Sequence, residues 1–285
     1  MNNILLAGAT GYLGSYILKG LLAQNIQTKV LVRHPERLPQ GAASSRLTII
    51  KAELTKPAEL QNCCAGINTV ISTVGITRQK DGLTYMDVDY QANLNLLDEA
   101  LKAGVKKFIY VSVLHGQKLR GTKLGAAKEK FVDAVKASGI DYCIIRPNGY
   151  FSDMKDFLSM AKSGRAYLFG NGENKMNPIH GEDLAAVCIK AVELPEKEIN
   201  IGGPQLFTLN QIAALALETL GKPVKIIHLP GWLRKMALGF MRTFLSSKTY
   251  GPVEFFLTAM VMNMAAPQYG THTLKQFFEA VKATV

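Results

Sequence analysis

Near its start the chain reads Asn3-Ile-Leu-Leu-Ala-Gly8-Ala-Thr-Gly11-Tyr-Leu-Gly14, three glycines at the spacing GxxGxxG between an apolar strand pattern and a helical one. Few folds need glycine at all three points. Gly8 permits a tight turn, Gly11 lets backbone N–H groups approach an anion with no side chain between, and Gly14 lets helix and strand pack closely. The helix that follows faces the anion with unpaired donors and a favourable dipole. The expected ligand is a dinucleotide pyrophosphate, held across Gly8, Ala9, Thr10, Gly11, Tyr12, Leu13 and Gly14. A glycine-rich turn that serves only the fold is the alternative.

The rest of the first half keeps the same rhythm. Short β-rich runs at Ile4–Ala7, Thr28–Val32, Leu47–Ile50, Thr69–Thr73, Lys107–Ser112 and Tyr142–Arg146 alternate with helical patterns at Tyr12–Gln24, Pro57–Cys64, Leu83–Ala103 and Gly125–Ser138. Gly139 suits the end of the last helix. This alternation predicts an α/β fold, a doubly wound parallel Rossmann sheet with a smaller, mainly helical C-terminal region. The chain has 285 residues, 48% of them hydrophobic, enough for a large core. Turn clusters at Gly170-Asn171-Gly172 and Gly202-Gly203-Pro204 set a different rhythm after Pro147. The expected division is a nucleotide-binding domain over 1–150 and a substrate-covering region over 151–285.

In such sheets ligands lie beyond the carboxyl ends of the strands. After the second strand the chain offers Arg33 and Arg37 where a chain selecting NAD would offer an acidic residue, so NADP(H) is the expected cofactor. Arg33 is placed to pair with a 2′-phosphate, Arg37 to assist, and a solvated surface arginine is the competing reading. Ser72, Thr73, Val74 and Gly75 are expected to line the cofactor after the fourth strand, and Ser112 after the fifth. Net charge is +11, from 33 Lys+Arg against 22 Asp+Glu. That balance suits phosphorylated cofactors or anionic lipid. No zinc-finger spacing, RNA-binding aromatic motif or long Lys/Arg run accompanies it, so no nucleic-acid partner is expected. Four cysteines without metal spacing, and Met1-Asn2-Asn3 running straight into an apolar strand, suggest a cytoplasmic protein.

Gly8-Ala9-Thr10-Gly11-Tyr12-Leu13-Gly14 with Arg33 and Val111-Ser112 resembles the atypical short-chain dehydrogenase/reductase superfamily, in its NmrA-like branch. Asp89-Tyr90-Gln91-Ala92-Asn93, Lys128-Glu-Lys-Phe131, Ile145-Arg146-Pro147, Phe169-Gly170-Asn171-Gly172, Asn200-Ile201-Gly202-Gly203-Pro204 and Gln268-Tyr269-Gly270 look like divinyl (proto)chlorophyllide 8-vinyl reductases and their relatives. The resemblance implies an NADPH-binding reductase fold. It also places Glu53-Leu54 where relatives carry Asp-Leu beside the adenine.

One feature departs from that superfamily, whose dehydrogenases carry Tyr-x-x-x-Lys for proton exchange with a carbonyl oxygen. None of the ten tyrosines has lysine four residues on, and counting from Ser112 puts Lys128 at the lysine position and Leu124 at the tyrosine position. Three readings of Lys128 stay open: ribose contact, proton donor, exposed helix lysine. His115, three residues past the fifth strand, is a second candidate proton donor. The expected function is reduction of a bulky apolar small molecule, with a noncatalytic NADP(H)-sensing or assembly role as the rival.

Between Lys222 and Tyr250 there are six Lys/Arg and no acidic residue, and Leu233, Met236, Ala237, Phe240, Met241, Phe244 and Leu245 follow helical spacing beside Trp232. Core packing is the commonest cause of such a stripe. A flexible wall for an apolar substrate and peripheral contact with the inner face of an anionic membrane through 222–250 are the others.

Overall fold

Ile4–Ala7, four apolar residues with every side chain buried, form β1 in a computed structural model that describes residues 3–39, 44–76 and 82–284, the Ser247 side chain excepted. Met1 and Asn2, on which the expectation about the N-terminus partly rested, lie outside the described residues. The further strands are β2 (Thr28–Val32), β3 (Leu47–Lys51), β4 (Thr69–Ser72), β5 (Lys107–Val111), β6 (Asp141–Pro147), β7 (Ala166–Phe169), β8 (Lys175–Met176), β9 (Glu198–Ile201), β10 (Phe207–Thr208) and β11 (Ile226–Leu229). The helices are α1 (Tyr12–Ala23), α2 (Asn93–Lys102), α3 (Gly116–Leu119), α4 (Lys123–Ala137), α5 (Lys155–Ala161), α6 (Gly181–Lys190), α7 (Leu209–Thr219), α8 (Gly231–Phe244), α9 (Ser247–Ala259) and α10 (Leu274–Val281). β1 and β2 start and end where the sequence predicts, β3 to β5 differ by one residue at one end, and β6 by one residue at each end.

Among the described residues the chain forms two units. The first holds residues up to Arg146 together with Leu184–Ile199. Its seven-stranded parallel sheet has the order β3-β2-β1-β4-β5-β6-β9, the Rossmann arrangement with one more strand at the edge. β9 comes from beyond residue 150, the boundary read from the sequence. Its pairing with β6 runs through Ile144 N–H donating to Lys197 O at 2.8 Å. Leu5, Val70, Phe108 and Ile144 of the sheet bury against Leu96 of α2 and Phe131, Val132 and Val135 of α4. The Phe131 ring meets those of Phe108 and Tyr110 edge-on at 5.8 and 4.7 Å.

Two helical expectations need correction. Pro57–Cys64 is not a helix but a short 3₁₀ turn over Pro57–Leu60, because Gln61 leaves the helical conformation at ψ 126° and Asn62 then turns left-handed at φ 61°. Leu83–Ala103 is not a uniform α-helix either. Met86–Ala92 is π-helical, and only from Asn93 does α2 run as an α-helix. The wider turn carries Asp89 and Asn93 to the buried side together.

The second unit holds Pro147–Asp183 and the chain from Asn200. Its small sheets are β7 with β11, parallel, and β8 with β10, antiparallel. α7 and α10 begin with capping boxes, Thr208 with Gln211 and Thr273 with Gln276. Fully buried Asn177 ties three segments, accepting from Asn148 Nδ2 and Ala266 N–H at 3.0 Å each and donating to Gly203 O at 3.0 Å. The paired glycines of the second turn cluster follow from this. A Cβ on Gly202 would meet Asn177 at 2.3 Å, and one on Gly203 would meet Pro178 O at 2.0 Å.

Core packing is the wrong reading of the C-terminal stripe. Trp232, Met236, Phe240, Phe244 and Leu245 are exposed, Leu233, Ala237 and Met241 half-buried, and Leu238 alone among the apolar residues of α8 is buried. The helix turns Leu238 inward and its wider apolar flank outward.

Candidate cofactor site

The three glycines stand between β1 and α1 with the contacts their spacing predicts. Gly8 has φ +91°, and a Cβ there would lie 2.5 Å from Thr73 Oγ1. A Cβ on Gly14 would lie 2.0 Å from Gly8 O. Gly11 N–H donates to Gly8 O at 3.0 Å and closes the turn. Gly11 is also the N-cap of α1, with no side chain capping the helix and no acidic residue in its first turn. A helix N-terminus with no side-chain cap and a glycine turn before it suits an anion, so these residues fit a dinucleotide pyrophosphate. Ala9, Leu13 and Gly14 are buried, Gly8 and Tyr12 half-buried, and Thr10 and Gly11 exposed. The loop therefore offers backbone and Thr10 outward while Ala9 and Leu13 hold it to the core.

The loop after β4 is tied to the glycine turn. Thr73 N–H donates to Ala7 O at 3.1 Å, and its hydroxyl donates to the same oxygen at 3.2 Å. Ser72 is fully buried, its hydroxyl donating to Asn93 Oδ1 at 2.5 Å and accepting from Val74 N–H at 3.3 Å. It shapes the loop from behind, leaving Thr73, Val74 and Gly75 on the accessible side. The Asn93 amide nitrogen in turn lies 3.1–3.2 Å from the carbonyls of Val74, Val88 and Asp89, tying the β4 loop to the π-helical turn.

Arg33 and Arg37 are exposed beyond β2. Arg33 exerts a weak pull on Glu53, whose carboxyl is held below the usual range first by Lys56 and then by Thr55. Lys56 Nζ lies 3.0 Å from Glu53 Oε2, and the Thr55 hydroxyl donates to Oε1 at 2.9 Å. Glu53 is thereby already partnered. Leu54 contributes its carbonyl to Asn95 Nδ2 at 2.9 Å.

Lys128 of α4 is not an exposed helix lysine. Its Nζ lies 3.0 Å from Oδ1 of fully buried Asp89, and a Cβ placed on Gly75 would sit 3.0 Å from the same Nζ. Asp89 Oδ2 also accepts from Ile76 N–H at 3.1 Å. Burial pushes the Asp89 carboxyl up while the ammonium pulls it down. Lys128 further lies 5.5 Å from the centre of the Tyr110 ring. Burial pushes that phenol up to about 12, so it keeps its proton. Leu124, at the tyrosine position of the superfamily, is buried and apolar.

Ser112 and His115 follow β5. The Ser112 hydroxyl donates to Glu129 Oε1 at 2.9 Å inside a fully buried network. Arg146 Nη1 and Nη2 donate to Glu129 Oε1 and Oε2 at 2.6 and 3.1 Å, and Gln117 Nε2 donates to Oε2 at 3.0 Å. Ser112 thus anchors the fifth loop. His115 is half-buried at φ 54°, the left-handed conformation that histidine, with asparagine and aspartate, adopts more readily than other non-glycine residues. Asp89, Asn93 and Glu129 entered the sequence analysis only inside motifs of the resemblance, with no role assigned, and Tyr110 did not enter it as a site residue. The signal for the first two was there, since acid and amide four residues apart share a face of any helix.

Residues 8–195 match the profile of a family described as NAD(P)H-binding. The chain is 26% identical to the chloroplastic divinyl chlorophyllide a 8-vinyl-reductase of Cucumis sativus over 318 residues, covering 98% of this chain and 76% of the relative. It is 27% identical to the photosystem II assembly factor Ycf39 of Synechocystis sp. over 250 residues, covering 85% and 73%. Among solved structures, the NADPH-dependent quinone oxidoreductase QOR2 of Escherichia coli, complexed with NADPH, has a TM-score of 0.73 at 19% identity, covering 98% of this chain and 99% of that one. That last likeness is one of fold.

Proposed function

We propose that this chain, which belongs to the NAD(P)H-binding family, is an NADPH-dependent reductase of a bulky, mostly apolar small molecule. The observation that carries the reading is Lys128, an ammonium fixed by buried Asp89 beside Gly75 in the loop after β4. Bound NADPH supplies the hydride. The chain's own residues orient and hold. The glycine-turn amides take the pyrophosphate, Arg33 and Arg37 the 2′-phosphate, and Thr73, Val74 and Gly75 the nicotinamide side. Lys128 binds the ribose and keeps its proton available at Nζ, while Ser112 and His115 shape the floor after β5. With Leu124 where a proton-transferring tyrosine would be needed, reduction at carbon suits the site better than alcohol/ketone exchange. The substrate class follows the name of the cucumber relative, a reductase of divinyl chlorophyllide a.

Thermal melting with NADPH, NADP+, NADH and NAD+ tests the cofactor reading first. Selective stabilisation of about 2.7 kcal/mol is expected from NADPH or NADP+ at 100 times the dissociation constant. No shift with any of the four would overturn it. Gly8→Ala should weaken NADPH at least ~10-fold in a fluorescence titration, because the left-handed backbone alone costs an L-residue about 1–2 kcal/mol and the new Cβ collides with Thr73. Arg33→Asp should weaken NADPH by roughly 10–100-fold while leaving NADH no worse, the range of one lost charged hydrogen bond. Retained NADPH selectivity would remove Arg33 from the site.

Buried Leu124 also favours a second reading, an NADP(H)-binding protein that senses or assembles rather than reduces. The similarity to a photosystem II assembly factor points the same way. Binding of NADPH without its consumption across a panel of activated alkenes and quinones would decide for it.

A further inference from the structure

We propose that α8 docks this protein on an anionic lipid surface. On this helix Trp232, Met236, Phe240 and Phe244 recur every fourth residue and are 63%, 57%, 61% and 70% exposed. Each step of four advances about 40° around a helix, so the four side chains form one ridge rather than scattered apolar points. The Phe240 and Phe244 rings lie 4.7 Å apart, and exposed Leu245 follows directly after the helix. A contiguous apolar surface of this kind on a charged protein marks an interaction site.

The charge around it selects the partner. From Lys222 through Phe278 the chain has seven Lys/Arg and a single acid, Glu254. That acid is buried and accepts from Arg242 Nε at 2.7 Å, so it offers nothing to solvent. Lys222, Lys225, Lys235 and Lys248 are exposed. An apolar ridge with a tryptophan at its start and lysines around it has the composition of a helix that lies in the headgroup region of a bilayer. A second copy of the same face would bring like charges together across a twofold axis, which disfavours self-association as the occupant. Among the described residues no helix is long and apolar enough to cross a membrane, so the contact is a surface one.

Trp232 is the chain's only tryptophan, so its emission reports the event directly. Vesicles of mixed phosphatidylglycerol and phosphatidylcholine at low salt should shift the emission to shorter wavelength and carry the protein down on sedimentation. Pure phosphatidylcholine vesicles should do so far less. Lys235→Glu should lower partitioning by at least roughly fivefold, the contribution of one basic residue near an anionic surface. Phe240→Ser with Phe244→Ser should abolish sedimentation while leaving stabilisation by NADPH unchanged, since both rings are exposed and their loss uncovers no core. Three results would overturn the proposal: no shift with the anionic vesicles, undiminished binding of the double variant, or a shift without lipid that grows with protein concentration. The last would assign the ridge to a second copy of the chain.

Discussion

Glu129→Ala should lower the unfolding free energy by about 3–5 kcal/mol, the cost of leaving one partner of a buried ion pair alone. The carboxylate accepts from Ser112, Gln117 and both terminal nitrogens of Arg146, and it is fully buried. Alanine in its place would leave the Arg146 guanidinium in the interior with Glu198, 2.8 Å from Nε, and the Val113 carbonyl as its remaining partners. Urea denaturation would register a lower midpoint at an unchanged slope. Arg120→Ala supplies the comparison. It breaks a pair with Asp133 of similar length but in solvent, and should cost under about 1 kcal/mol. Equal losses in the two variants would show that the buried network does not hold the fifth loop in place.

Lys128→Ala should reduce NADPH-dependent turnover by about 100-fold or more, the lower end of what a positioned proton-handling group contributes. The same change removes the counter-ion of buried Asp89, so loss of stability and loss of chemistry must be told apart. pH separates them. Burial raises the Asp89 carboxyl above its unfolded value of about 3.9, so its protonated form is the one the fold accepts without a partner. The variant should therefore be most nearly native in stability below about pH 4, and lose stability as pH rises through the folded-state value. Adding Asp89→Asn should restore stability at neutral pH, because a neutral amide needs no ammonium beside it, and the double-variant cycle would measure the coupling. Turnover should stay lost in the double variant. Its return would reduce Lys128 to a structural counter-ion.

The sequence revealed those parts of the fold and site that depend on backbone geometry. Gly8 and Gly14 stand where a side chain would collide, and a position that admits only glycine is readable without any knowledge of its neighbours. β1 was legible for a related reason, since a strand buried on both faces is a short unbroken apolar run. What depends on a distant partner was not legible. Glu129 reads as an ordinary helix acid until Arg146 arrives from β6, 17 residues later. Gln61 and Asn62 halt a helix by conformations that composition does not announce. The apolar residues of α8 have the periodicity of a core helix, and periodicity states which side chains share a face without stating whether anything covers it.

The π-helical turn at Met86–Ala92 makes chain length itself a functional quantity. An α-helix advances about 100° per residue, so deleting one residue from this turn would rotate everything before the cut relative to everything after it by that angle. Asn93 would keep its grip on the β4 loop while Asp89 swung away from Lys128. Deletion of one residue between Asp89 and Asn93 should therefore act like removal of Asp89, whereas Tyr90→Ala, which keeps the count, should not. Here spacing is inherited information as surely as identity.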